Sequence, residues 1–344
     1  RGFEIMNVTE AVRAAVQAAR VSAVLFEGTA RGVIEVSGSD RVRWLDGMIS
    51  GDVGKLEAAD DGAGCYATLL TNRGAIVADL HVGRLGERFW LESTRSEIPR
   101  ISMALDRFII ADDVNLVDLS EEFAVWGLEG PLAGQILSAA IGGGTNLPAA
   151  DCWGEVNIAG ADVVVGAFGW SGESAYQLWV APGAKDVVAE ALDAAAGSPL
   201  IKGDETALEV LRVEAGIPAL GSELDEEVLP PEARLERAIA TDKGCYVGQE
   251  IVARLRARGQ VNHLLVGLKF EPDTKASVGV ALSSGGKSTG EVTTLVESPD
   301  LGRIALGYVR RDHAEPGTVV DFEGGHGTVA ALPFVVSTAE STGS

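Results

Sequence analysis

The hydrophobic pattern opens with helical spacing. Residues 9–20 place Val12 and Val16 four apart among alanines, which predicts a helix. Residues 32–37, Gly-Val-Ile-Glu-Val-Ser, predict a strand. Ser39 then stands as the cap of a helix with Val42, Leu45 and Ile49 on one face. Residues 65–71 and 75–82 read as strands joined by Asn72-Arg73-Gly74, a hairpin turn with glycine where positive φ is needed. Ser96 is placed to cap another amphipathic helix carrying Ile98, Ile101, Leu105 and Phe108, with Pro99 tolerated in its first turn. These elements predict one α+β unit.

After Gly130-Pro131 the pattern restarts. A helix over 131–141 leads to the Gly142-Gly-Gly-Thr-Asn loop, strands over 162–166 and 176–180, and an Ala-rich helix from Lys185 that stops at Gly197. Asp204 caps a further helix in which Leu208, Leu211 and Ala215 share a face, while Gly216 and Pro218 end it. Arg212 and Glu214 fall elsewhere on that helix, free to face a ligand or solvent. From about Val261 onwards short β-runs at 264–270, 290–295, 304–309 and 319–322 alternate with Gly and Ser, the spacing of a small antiparallel barrel. The polar residues 337–344 read as a disordered tail.

At 344 residues the chain needs two or three cores. Met6 reads as a natural start. No apolar run approaches the roughly 18 residues of a membrane span, and no secretion pattern is present, so no membrane partner and a cytoplasmic home are expected. Lys and Arg total 28 against 50 Asp and Glu, a net charge of −22 that repels phosphate backbones and argues against stable nucleic-acid binding. Cys65, Cys152 and Cys245 are far apart and without CxxC spacing, so no disulfide framework or autonomous metal centre is expected. Cys65 and Cys152 read as small buried hydrophobes. His81, His263, His313 and His326 share no ligand spacing and read as structural or exposed.

One stretch stands apart chemically. Lys243-Gly-Cys-Tyr-Val-Gly-Gln-Glu250 sets a thiol between glycines and beside a lysine. A nearby cation favours the thiolate, and glycines admit other molecules to the backbone. Cys245 and Lys243 are therefore the candidate reactive pair.

Five segments together resemble the folate-binding superfamily of the glycine-cleavage T-protein, the aminomethyltransferases. They are residues 36–53, the hairpin Leu70-Thr-Asn-Arg-Gly-Ala-Ile-Val-Ala-Asp79, Leu211-Arg-Val-Glu-Ala-Gly216 with Pro218 and Gly221, Ser298-Pro299, and Ile304-Ala-Leu-Gly-Tyr-Val309. Within it the Cys245 octapeptide is similar to the signature of the YgfZ branch. The resemblance implies an α+β, three-domain cloverleaf with a C-terminal antiparallel β-barrel, around a hole that accepts tetrahydrofolate. Residues 6–116 plus 203–259 would form the first domain, 117–202 the second and 260–336 the third.

It further implies that Glu214 accepts the amino-pyrimidinone edge of a reduced pterin, two parallel donors that suit a carboxylate. Lys243, Arg212 and Arg254 are the candidate cations for the anionic folate tail, and Trp44, Met48, Tyr66 and Tyr246 candidates for the apolar sandwich. Trp44 and Met48 read more simply as core. T-proteins carry a catalytic aspartate shortly after an Asn-Ala segment; residues 92–100 here contain none, and Glu97 is out of register. The expected function is therefore a tetrahydrofolate-binding factor of YgfZ type that supports iron–sulfur cluster assembly or repair in client enzymes. The alternatives are a folate-dependent aminomethyltransferase or demethylase, and a tRNA-modification factor acting indirectly.

Overall fold

The computed structural model describes residues 8–143, 146–259, 261–272 and 274–337. The expected natural start at Met6 and the expected disorder of 338–344 lie outside the described residues, as do Gly144 and Thr145 of the glycine loop. Two sheets packed face to face and a closed barrel form the frame. The five-stranded sheet runs in the order Gly64–Leu70, Ile76–Leu85, Arg88–Thr94, Arg31–Ser37, Asn115–Asp118, and every pairing is antiparallel. The six-stranded sheet runs Ile201–Gly203, Val24–Glu27, Ala124–Glu129, Ala175–Val180, Ala161–Gly166, Trp153–Ile158. The segment before the first sheet thus lends its strand Val24–Glu27 to the second. Six more strands between His263 and Ala330 close into the barrel.

Side-chain parity sorts each sheet into two faces. On the five-stranded sheet Ile34, Val36, Ala67, Leu69, Leu80, Val82 and Leu91 enter the main apolar core with the helices Glu10–Val21, Ile98–Asp106 and Glu205–Glu214. On the six-stranded sheet Leu25, Trp126, Leu128, Val165 and Leu178 pack under Ala133–Ala140 and Lys185–Ala196. The remaining face of each sheet meets the other. Between them lie Val33, Leu85, Trp90, Val125, Trp153, Phe168, Trp170 and Trp179, all buried. Gly83 makes this approach feasible, since a Cβ there would sit 2.4 Å from the Trp153 ring.

Two helix starts differ from expectation. Ser39 does not cap: its hydroxyl donates to Asp113 Oδ2 at 2.7 Å, and the helix Arg41–Met48 begins behind Asp40 without a side-chain cap. Ser96 lies inside the one-turn Arg95–Glu97 segment that leads into Ile98–Asp106, and Phe108 falls beyond that helix, 41% exposed. For Ser39 a neighbouring loop supplies the partner that a local sequence reading cannot see, whereas Ser96 is displaced because the chain turns one residue earlier. Thr9 and Asp204 do cap, accepting from the backbone N–H of Val12 and Ala207.

Arg212 and Glu214 are the larger correction. Neither is free: they are 3% and 2% exposed. Arg212 donates to Glu209, to Glu223 at 2.9 Å, to the Ile217 carbonyl and to Thr294 of the barrel. The Glu214 carboxylate accepts from Arg20 and from Ser298, each at 2.6 Å. One helix end thereby fastens the amino-terminal helix and the barrel to the central core.

Candidate functional site

The face of the five-stranded sheet turned toward its partner carries a row that is not apolar. Tyr66 pairs with His81 and His81 with Glu92 across three strands, while Thr68 pairs with Asp79 and Arg31 with Thr94. Parity within the strands Gly64–Leu70, Ile76–Leu85, Arg88–Thr94 and Arg31–Ser37 puts all of them on one side. Loop residues after Gly166 bring flat rings over them: Phe168 stacks on His81 with centroids 3.8 Å apart and planes 6° from parallel, and Tyr66 lies 4.8 Å away. The Arg31 guanidinium rests 4.5 Å over Trp170, a cation–π contact, while pairing with Glu92 and Thr94.

Burial sets the electrostatics. It raises Tyr66 well above the usual phenol value, and the adjacent Asp79 adds to this. Glu92 is fully buried and held above the usual carboxylate range by desolvation, with Arg31 opposing and Asp79 reinforcing. His81 is held well below an ordinary imidazole by burial, then by Arg237 and Arg31, and so stays neutral. Three polar atoms here have no hydrogen-bond partner in the protein: Asp79 Oδ1, Glu92 Oε2 and His81 Nδ1, the last 3.8 Å from Asp151 Oδ1. Asp79 uses only its other oxygen, which accepts from the Tyr66 hydroxyl at 3.0 Å. Bare buried acceptors are costly unless something else satisfies them, which is the signature of a place for a ligand or water. Arg237 marks the mouth, lying over the outer face of Tyr66 at 4.3 Å and pairing with the half-exposed Asp151 at 3.3 Å.

A depressed histidine makes the fold acid-sensitive. Its unfolded value is near 6.5 and its folded value lies lower, so its contribution to stability is complete above about pH 6.5 and is lost as pH falls through the folded value. His81→Gln is expected to melt with a shallower loss of stability on acidification than wild type, measured by thermal denaturation across pH. Parallel curves would contradict this.

The expected site residues are not brought together at this cluster, Tyr66 excepted. Trp44 is buried and donates to the Phe108 carbonyl, and Met48 packs on the same core. Arg254 is exposed and paired with Glu250 at 3.0 Å. Glu97 pairs with Arg100 at 2.7 Å. Burial pushes the Cys65 thiol up to about 12, which suits an inert filler. Sequence reasoning missed Arg31, Phe168, Trp170 and Arg237 altogether, read His81 as structural or exposed, and took Asp79 and Glu92 only as parts of family-like segments. The available signal was Asp79, His81 and Glu92 recurring at one parity inside otherwise apolar strands.

The octapeptide forms a second feature, against the helix Arg41–Met48. Lys243 Nζ donates to the carbonyls of Asp46 at 2.7 Å, Ile49 at 3.0 Å and Gly51, and pairs with Asp46 Oδ1 at 3.0 Å. Its side chain is 2% exposed, so it acts as a clamp, with Tyr246 half-buried beneath at 5.3 Å. Its charge is thus engaged by three carbonyls and the Asp46 carboxylate. Gly248 is required here: it has φ +83°, and a Cβ would lie 2.6 Å from the Thr71 carbonyl oxygen. Gly244 is open, and Cys245 is exposed. Lys243→Met should cost about 2–4 kcal/mol, since three carbonyls lose a charged donor in a buried place. Urea denaturation measures it; an unchanged midpoint with altered Cys245 labelling would restore the thiol-activating role.

Among the described residues no helix is long and apolar enough to cross a membrane, and no group of His, Cys, Asp or Glu is arranged to hold a metal. Comparison with known proteins places this geometry. The GCVT N-terminal domain model matches residues 3–243, and that of the glycine cleavage T-protein C-terminal barrel domain matches 264–336. An aminomethyltransferase of Saccharopolyspora erythraea is 33% identical over 328 residues, covering 92% of this chain and 88% of the relative. One from Rubrobacter xylanophilus is 30% identical over 310 residues, covering 90% and 82%. The crystal structure of glycine cleavage system aminomethyltransferase T from Bartonella henselae superposes with a TM-score of 0.83 at 25% identity, over 94% of this chain and 89% of that one. With both domain models matched in order and the three-part fold shared, the chain belongs to the glycine cleavage T-protein family.

Proposed function

We propose that this chain is a folate-dependent aminomethyltransferase-type protein that takes tetrahydrofolate, or a one-carbon derivative, between its two sheets, with Asp79 handling the proton. The observation that carries the reading is the bare, buried Oδ1 of Asp79 beside flat aromatic rings. Tyr66, Phe168 and Trp170 suit a flat heterocycle, and Arg237 at the mouth suits the carboxylates of a folate tail. A reduced folate supplies ring nitrogens that accept or release a one-carbon unit. Asp79, its other oxygen fixed by Tyr66, is positioned to hold or give up a proton at Oδ1. It takes the role for which residues 92–100 offer no aspartate. Glu214 contributes at one remove: it holds Arg20, which also donates to the Ser171 carbonyl at 2.8 Å and so steadies the turn carrying Trp170. The test is turnover of an aminomethyl donor with tetrahydrofolate; the reading expects formation of a one-carbon folate, and its absence with full folate binding would refute transfer.

A second reading keeps the fold and folate but moves the work to Cys245, as a YgfZ-type factor supporting iron–sulfur client enzymes. What favours it is a solvent-exposed thiol on a loop pinned by Lys243, beside an open Gly244 whose missing side chain packing does not require. On this reading Cys245→Ala abolishes support of client enzyme activity in a strain lacking the native gene. Intact client activity would remove it.

A further inference from the structure

The site contains a carboxyl group that the proposed function does not use. Glu92 lies on the strand next to that of Asp79; His81 is its direct partner, which makes Asp79 a diagonal neighbour on the same face. Each has one buried oxygen without a partner, Oδ1 on Asp79 and Oε2 on Glu92. The groups facing Glu92 are Arg31 on one neighbouring strand and His81 and Asp79 on the other, with Tyr66 beyond them. From the opposing sheet come Phe168 and Trp170, which carry no charge. Arg237 is turned to Asp151 at the mouth. Two carboxylates therefore face one buried cation, Arg31, since His81 is neutral.

We infer that Asp79 and Glu92 share a single proton, resting mainly on Glu92, which makes Glu92 the positioning residue and proton reservoir of the site. One proton resolves both orphans at once: a carboxylic acid O–H on Glu92 is a donor, and Asp79 Oδ1 is the matching acceptor, directly or through one water. It also leaves one carboxylate for one guanidinium, the arrangement that a buried site tolerates. The proton that Asp79 delivers during turnover is the shared one, passed from Glu92 to Asp79 Oδ1 and from there to the folate nitrogen. The charge left on Glu92 faces Arg31 until the reaction returns a proton to the pair. This use of the proton rests on the reading of Asp79 above; the shared proton itself does not.

The test is infrared spectroscopy of the free protein near neutral pH, reading the carbonyl stretch of a protonated carboxylic acid and its shift in D2O. The wild-type spectrum should contain such a band that is lost in Glu92→Gln. In Asp79→Asn, which leaves Arg31 its partner, the band should also be lost, because a lone Glu92 beside Arg31 ionises. Glu129→Gln, at another buried carboxyl, should leave it unchanged. A wild type without the band, or a band that survives Asp79→Asn, would overturn the inference. Since no folate is present, failure here is separate from failure of the folate reading. A band present without folate turnover would sink only the latter.

Discussion

Replacing Glu214 by alanine is expected to lower unfolding free energy by about 2–3 kcal/mol, the cost of removing charged hydrogen bonds from a buried place while Arg20 keeps Glu173 and the Ser171 carbonyl. Arg20 is 14% exposed at its side chain and would lose its shortest contact, and Ser298 would lose its acceptor. The loss is magnified by where these groups sit. Arg20 belongs to the first helix, Glu214 to the helix beneath the core and Ser298 to a barrel strand, so one deletion loosens three bodies together. Glu214→Gln, which keeps an acceptor for Ser298 but loses the charge, should fall between. Urea denaturation of both variants measures this. A loss under about 1 kcal/mol with folate binding abolished would instead make Glu214 a direct ligand, as its family resemblance implies.

Asp79→Asn should reduce folate-dependent transfer by about 10²–10⁴-fold, the usual weight of one general acid–base group. The substitution is nearly isosteric and can still accept from Tyr66, so the fold and the affinity for folate should be retained. A fall in kcat with unchanged KM separates loss of proton handling from loss of binding. The same variant with full turnover would remove Asp79 from the chemistry.

The fold was largely readable because its signals are local. Val12 and Val16 at helical spacing, Gly74 in its turn and the short β-runs after His263 each formed the predicted element. The cap at Ser39 misled because its partner Asp113 is far away in sequence, and that at Ser96 because a short turn precedes the helix. The site was less legible for a physical reason. Glu214 and Arg212 look available on a helix end, and only the packing of the barrel against that helix buries them. Asp79 and Glu92 sit in apolar strands, where they read as ordinary strand residues until a second sheet closes over them. The octapeptide drew attention correctly as a special loop, yet its lysine serves three backbone carbonyls.

The most direct test of the folate account is calorimetric titration of tetrahydrofolate into wild-type protein, Arg237→Ala and Arg254→Ala. Both arginines are exposed, so neither change threatens the fold. The account predicts binding to wild type, about tenfold or greater weakening in Arg237→Ala from loss of a charged hydrogen bond, and no change in Arg254→Ala. No binding to wild type, or weakening in Arg254→Ala alone, would contradict a folate site between the two sheets.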